Sequence, residues 1–564
     1  MARRIHLRGF TLGTLIVGAI VLRFWLALGP LGRSPTSDED VVGLMALHIL
    51  RHHQFRAFYW GQNYGGSLES ILVAPFVGVF GATTLGLRFA SVALTLVMAW
   101  LTWRIARHLF GDSVAVWAGI LALWWPLALV YFGTQERGFY PLAAALGLTA
   151  VLMALYVDAD PPRTRAWIGL GIAIGLGWWV SPNVVYFGIP IGMWLGLRGH
   201  WRQARNIAIA LGAAVIGASV WIIANVRSHF ASSRVVPHLA GTSTYWSRFR
   251  FFWQTGLPFA LGLRRPHTGQ WYWSPIIGRA TYTAVIVVIV VCLWKTLRTW
   301  SIDVLLLAFA PFVFAYFPPT GLLDEGRYTY FIAAMLPLVV CRILQNGWGR
   351  TFVVGLVIVT GIAFARDYDG LQHPLAASIL PITRTIEHDG YHTAITDYWI
   401  AFRMTYQSSE RVIASPLPGQ AGVRYPPYLS LIAASTPAYV FSVQGSDSRD
   451  TALIRRLVAA HISYRIARAG DYYAVLPRAP LRTISRTLRA NPSTRAACVR
   501  IRSRRLYRSR DDEAQQERYE SAQTSRHGRD DRAGRRVRVA LEVPDVRGGA
   551  AADRLVRGPQ RGPS

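Results

Sequence analysis

The chain has 564 residues, 52% hydrophobic and only 16% charged, with 21 Trp and a mean hydropathy of +0.27. A soluble domain carries roughly 25% charged residues, so lipid rather than water is indicated as the main solvent. The net charge of +30 does not indicate nucleic acid, because residues 481–564 alone hold 21 Arg against 10 acids. Much of the remaining excess lies in short loops between apolar runs, as positive-inside topology requires. Cys292 and Cys341 lie inside apolar runs and Cys498 in the tail, which gives neither a disulfide framework nor a paired metal-ligand spacing.

A membrane span needs about 20 mostly apolar residues. That rule predicts about eleven spans, near residues 10–28, 84–109, 113–133, 139–157, 166–180, 182–198, 206–226, 275–297, 301–317, 328–344 and 349–365. The first reads as an uncleaved anchor, although Arg3, Arg4 and Arg8 also fit a signal peptide. A cytoplasmic N-terminus puts Arg104, Arg107, Arg163, Arg165, Arg198, Arg202, Arg205, Lys295, Arg298, Arg342 and Arg350 inside. The long loop 227–274 is then outside despite its six Arg, since long loops obey the rule weakly.

Residues 1–365 are therefore expected to form an all-α polytopic membrane domain, with a first outer loop at 29–83. Residues 366–480 change character. Helix-like stretches at 375–389 and 448–460 alternate with short β-rich runs, "HTAITDYW", "RVIAS", "AYVFSV" and "YYAVLP". This predicts a small extracytoplasmic α/β domain. From 481 onward the chain is rich in Arg, Ser, Asp and Gly without apolar periodicity, the composition of a disordered tail.

The first outer loop is the most informative stretch. Asp38, Glu39 and Asp40 open a helix in which Val42, Met45, Ala46 and Ile49 share a face while His48 and Arg51 turn away. That pattern predicts a helix along the membrane surface. A structural reading stands beside any chemical one: Thr36 or Ser37 caps the helix, and acids in its first turn suit the dipole.

The order of motifs resembles the GT-C superfamily of polyprenyl-phosphate-sugar-dependent glycosyltransferases, which includes protein O-mannosyltransferases and lipid A aminoarabinose transferases. "DEDVVGLMALHIL" supplies the acid pair at Asp38 and Glu39, with the small residue Ala46 further on. "SLESILVAPFVGVFG" resembles the second surface helix of that superfamily, and "GLRFASVALTLVMAWLTWRIARHLFG" its second span. The likeness covers residues 1–200 well and later spans loosely. Two features depart from it: "YWGQNYGGSLE" stands where a Lys-Pro-Pro-like segment is usual, and the outer domain is not a carbohydrate-binding repeat.

The resemblance implies transfer of a hexose or pentose from a polyprenyl-phosphate carrier to a protein or envelope-glycan acceptor at the outer face of a cell membrane. Asp38 would be the general base for the acceptor hydroxyl, with Glu39 and Glu136 as further catalytic acids. Glu136 is also a candidate metal ligand. Arg137, in "GTQERGFYP", and Arg327, in "LLDEGRYTYF", would bind the donor phosphate, Arg being a bidentate match to phosphate oxygens; snorkelling at span ends is the alternative for both.

Tyr59, Trp60 and Tyr64 suit stacking on sugar rings and Gln62 suits hydroxyl recognition, although an interfacial aromatic belt has the same composition. Glu69 is costly against lipid and is expected to face the loop cavity. Asp397 is a candidate contributor from the outer domain. No metal-ligand set is assigned: His52 and His53 lack a Cys or carboxylate at ligand spacing. A divalent cation, magnesium or manganese, is admitted as a cofactor without being required. A transporter or lipid flippase is the rival reading, but its ionisable groups belong deep inside spans, whereas the clear acids here cluster at outer span ends.

The Arg pattern places both residues 29–68 and residues 366–480 outside. Cysteines introduced into each should react with an impermeant thiol reagent in intact cells. Protection of either segment would break this topology.

Overall fold

The computed structural model describes residues 2–481, apart from 30, 32–35, 137, 235–243, 266–268, 299–328, 346, 367–377, 417–422 and 444–447. All of them belong to one compact unit. The predicted span 301–317, the tail from 482 onward, and the candidates Arg137 and Arg327 lie outside the described residues.

Each other predicted apolar segment holds a helix. Along the first half of the chain these are α1 (Ala2–Leu28), α2 (Ser37–His52), α3 (Leu68–Phe80), α4 (Thr84–Phe110), α5 (Asp112–Trp124), α6 (Leu127–Phe132), α7 (Tyr140–Ala159), α8 (Thr164–Val180), α9 (Val185–Leu197) and α10 (Ala204–Arg227). Beyond them come α11 (Pro275–Arg298), α12 (Tyr330–Val339) and α13 (Gly347–Arg366). The predicted segment 113–133 is two helices, because Pro126 supplies no backbone N–H and the ladder stops at Trp125.

Among the described residues, five helices are long and apolar enough to cross a membrane: Thr84–Phe110, Tyr140–Ala159, Ala204–Arg227, Pro275–Thr296 and Gly347–Arg366. The protein is a mostly helical membrane protein. On α10 the side chains of Leu211, Val215, Ile216 and Ile223 are all more than half exposed. An apolar helix facing outward in this way has lipid as its natural surroundings.

Without a hydrophobic force between helices in lipid, close backbone approach is a main source of packing. The α8–α10 pair illustrates this. A Cβ at Gly171 would overlap the Ala210 carbonyl oxygen, and one at Gly175 would overlap that of Ala214. Hydrogen bonds tie other helices together: Trp124 Nε1 donates to Leu15 O at 2.9 Å, and Arg23 Nη1 to Leu123 O at 2.5 Å.

Residues 379–477 form a mixed α/β layer. Its strands are β1 (Thr393–Thr396), β2 (Ile413–Pro416), β3 (Ala438–Ser442), β4 (Tyr464–Ala469) and β5 (Tyr472–Pro477), in the sheet order β2-β1-β3-β5-β4. The first three strands are parallel and the last two antiparallel to their neighbours. Helices α14 (Leu380–His388), α15 (Tyr398–Gln407), α16 (Pro426–Ala433) and α17 (Ser448–Ala459) accompany the sheet. The β-rich runs read from the sequence are β1, β2, β3 and β5. Strand β4, which carries Arg465 and Arg468, lacks the apolar signal because it is an exposed edge.

Helix α2 is where this layer meets the membrane helices. It packs on α3 on one side and α15 on the other. Gly43 lies so close to the Tyr406 ring that a Cβ would overlap it. Nearly every residue from Ser37 to His48 is consequently buried, so α2 is a sandwiched helix and not one lying open on a membrane surface. His48, expected to turn away, is 5% exposed for the same reason.

Replacing Gly171 with Leu should force α8 and α10 apart. A loss of about 1–3 kcal/mol, the usual range for overpacking, should appear as a lower Tm in detergent. Gly192→Leu, where no atom lies within 4 Å of an added Cβ, should leave Tm nearly unchanged.

Candidate active site

The acid run at the start of α2 is divided by environment. Glu39 is fully buried. Its Oε1 accepts from Thr36 N at 3.4 Å and from Thr36 Oγ1 at 3.1 Å, while Oε2 lies 2.5 Å from Arg88 Nη1 on α4. Arg88 also donates to Leu31 O at 2.7 Å. Glu39 thus supplies the capping half that the sequence left open, and anchors α2 to α4. Asp40 is fully buried with no hydrogen-bond partner for either oxygen among the described residues. Burial, then the Glu39 charge, pushes its carboxyl well above the usual range, against the opposing pull of Arg403 and Arg88.

Asp38 points elsewhere. Its Oδ1 accepts from Tyr398 Oη at 2.5 Å and from Arg424 Nη2 at 3.2 Å, and its backbone carbonyl accepts from Tyr59 Oη at 2.8 Å. Arg424 in turn donates to Tyr398 Oη at 2.9 and 2.8 Å and lies over the rings of Tyr59 and Tyr398, at 5.3 and 5.5 Å. Burial and the Asp38 carboxylate push the Tyr398 hydroxyl far up, so it remains a donor to Asp38. Neither Tyr398 nor Arg424 was singled out by sequence. The nearby candidate Asp397 instead caps α15, its Oδ1 accepting from Trp399 N at 2.9 Å.

A second pair of carboxyls lies in the same region. The hairpin "FYWGQNYGG" leads into α3 and docks on the end of α8: Gly66 N donates to Val180 O at 2.9 Å, and a Cβ at Gly66 would overlap the Trp179 carbonyl. This docking carries Glu69, in the first turn of α3, into the interior. From the other side, Thr95 Oγ1 donates to Gly133 O at 2.7 Å and fixes the turn after α6 that holds Glu136. Glu136 Oε1 accepts from Gly138 N at 2.8 Å.

Glu69 and Glu136 are 2% and 1% exposed, and each carboxyl lies within the electrostatic reach of the other. Burial, then the neighbouring carboxylate, raises Glu69 well above the ordinary range; burial raises Glu136 to about 7. Two carboxyls this close in a dry setting cannot both carry charge without a proton or a cation between them. Neither Glu69 oxygen has a geometrically regular hydrogen-bond partner among the described residues. An all-oxygen pair of this kind fits a hard divalent cation such as magnesium or manganese.

The aromatic candidates have defined surroundings. Tyr59 is buried under Arg424 and edge-on to Phe139, and Tyr64 is also edge-on to Phe139, at 6.3 Å. Trp60 is 5% exposed, with one face stacked on Tyr425 at 4.2 Å. Gln62 Oε1 is buried without a hydrogen-bond partner among the described residues. A cavity of about 370 Å³ is lined by Arg265, Tyr272, Trp273, Ser274, Ile277, Ala363 and Arg366. Arg366 lies over Trp273 at 5.4 Å. Arg265 was read from sequence only as one of six loop charges, and Arg366 was not singled out.

The profile of the Dolichyl-phosphate-mannose-protein mannosyltransferase family matches residues 70–224. The undecaprenyl phosphate-alpha-4-amino-4-deoxy-L-arabinose arabinosyl transferase 1 of Sodalis glossinidius is 25% identical over 321 residues, 54% of this chain and 51% of that protein. The chain spans about half the length of the curated relatives it matches. The crystal structure of ArnT from Cupriavidus metallidurans in the apo state aligns with a TM-score of 0.54 at 12% identity, over 83% of this chain and 98% of that one. The chain shares its fold with that ArnT. The same ArnT bound to undecaprenyl phosphate aligns with a TM-score of 0.50 at 13% identity and the same coverage. Within this fold the chain holds its first-loop Asp38 against Tyr398 and Arg424 of the C-terminal layer.

The raised carboxyls make stability depend on pH with a definite sign. Glu136, protonated in the fold up to about 7, favours the folded state below its ordinary value near 4.5, and that stability is lost as pH rises through 7. Tm in metal-free detergent should fall between pH 4.5 and 7. Glu69→Gln should flatten the fall, and an undiminished slope in that variant would contradict the paired arrangement.

Proposed function

We propose that the protein is a membrane glycosyltransferase that moves a sugar from a polyprenyl-phosphate carrier to a hydroxyl of a protein or envelope-glycan acceptor on the outer membrane face. The observation that carries this reading is Asp38: a first-loop carboxylate held by Tyr398 Oη at 2.5 Å and Arg424 at 3.2 Å, in the region of a buried carboxyl pair. Support comes from the family profile over residues 70–224 and from relatives named for transfer of aminoarabinose from undecaprenyl phosphate.

In this reading the acceptor oxygen bonds to the anomeric carbon as the bond from that carbon to the carrier phosphate oxygen breaks. The hydroxyl proton passes to Asp38, the lipid phosphate leaves with the bonding electrons, and the anomeric centre inverts. Tyr398 and Arg424 orient Asp38. Glu69 and Glu136 would hold a divalent cation, which when bound supplies positive charge for phosphate recognition. Arg137 and Arg327 are proposed as phosphate ligands from their sequence setting, and Arg265 and Arg366 because they line one cavity. Gln62 is proposed for sugar hydroxyls because its buried amide oxygen lacks a partner among the described residues; Tyr59, Trp60 and Tyr64 wall the same loop. We also propose about eleven crossings, a cytoplasmic N-terminus, and a C-terminal layer that forms a separate α/β domain outside.

The test is transfer from a panel of radiolabelled polyprenyl-phosphate sugars in membranes. Asp38→Asn should lower transfer roughly 10²–10⁴-fold, the usual contribution of a positioned base, with donor binding little changed. Because Glu39 rather than Asp38 makes the cap, any fall in Tm should come from the lost charge opposite Arg424 alone. Arg265→Ala should chiefly weaken donor binding. A folded Asp38→Asn protein transferring at the normal rate would rule out the base.

A further inference from the structure

We infer that His48, His52 and Glu410 form a binding site for zinc or a similar transition metal at the junction of α2 with the C-terminal layer, separate from the proposed sugar-transfer site. His48 and His52 are four residues apart on α2 and so share a face. Glu410 lies just past α15, in a left-handed turn with φ of 66° that aims it back at α2. One ligand atom from each of the three residues lies within 4.8 Å of the others. Sequence spacing offered no carboxylate to the histidines, because this one is 362 positions from His48.

The surroundings favour metal ligation. Gln54 Oε1 faces His48 Nδ1 at 3.4 Å. His48 Nε2 donates to Glu410 Oε1 at 2.8 Å; a metal would take the place of that proton, while the Gln54 acceptor keeps a proton on Nδ1. Metal-bound histidines commonly have such a partner on the second ring nitrogen, which fixes the tautomer. Tyr428 Oη donates to Glu410 Oε1 at 2.7 Å and steadies the carboxylate. Trp60, Tyr425 and Tyr428 stand edge-on around the His48 ring, at 4.8, 5.1 and 6.4 Å, and shield the inner side from water. His52 is exposed and gives ions a route in.

Two imidazoles and one carboxylate suit zinc, with a fourth position for water, whereas magnesium prefers all-oxygen sets. Glu69 and Glu136 offer only oxygen, so the two places should select different ions. A metal here would join the far end of α2 to the C-terminal layer, while Asp38 joins the near end.

The full-length protein in detergent, stripped with chelator, is titrated with zinc by calorimetry while Tm is followed. One zinc per chain should bind and raise Tm, and excess magnesium should not compete. His52→Ala removes an exposed ligand without disturbing the core and should weaken zinc roughly tenfold or more. Glu410→Gln should do the same, and Glu69→Gln should leave zinc binding intact. Absence of zinc uptake, or unchanged affinity in both His52→Ala and Glu410→Gln, would overturn the site; so would displacement by magnesium or loss of zinc on Glu69→Gln.

Discussion

A buried carboxylate needs a buried cation or several donors, since removing one member of such a pair leaves a charge that the interior cannot solvate. The ion pair of Glu39 with Arg88 meets this demand where the first loop enters the helical body. Arg88 is fixed by the Leu31 carbonyl as well, so the first turn of α2 has little freedom to rotate or slide on α4. Once that turn is set, the 100° step of the helix decides the rest. Asp38 must face the C-terminal layer, Asp40 must enter the packed interior, and His48, nearly three turns on, must meet Glu410.

Residue type alone does not assign roles to the five acids of this region. Glu39 is a strut paired with arginine, Asp40 is held up in its titration by burial, Glu69 and Glu136 restrain each other, and Asp38 is oriented by a tyrosine and an arginine from far along the chain. Separating acid and base duties among like groups through their environments is a common device in active sites. Here the environments come from three directions: the N-terminal end of α4, the docked hairpin, and the C-terminal layer.

Much of the architecture was legible from apolar runs, because lipid imposes a length and composition on each span that a sequence states outright. The acid pair, the surface-helix pattern and Glu136 could be picked out by their order along the chain. The partners could not. Tyr398 and Arg424 carry no local signal; the first follows a helix cap and the second precedes the cap of an ordinary proline-led helix. Asp397, one residue from the tyrosine that contacts Asp38, looked better because a carboxylate draws attention and a tyrosine in an aromatic run does not. Strand β4 escaped because an edge strand bearing arginines has no alternation to read, and α2 looked like a surface helix because its second cover comes from α15 and α16, more than 340 residues away.

The separation of Asp38 from Arg424 by 386 residues has a consequence for biosynthesis. Chains elongate at about 5–20 residues per second, so roughly 20–80 s pass between synthesis of the carboxylate and of the guanidinium that holds it. During that interval the first loop is already made while α2 lacks one of its two covers. A chain truncated before Arg424 would have the same incomplete arrangement, with the Asp38 loop made but not set.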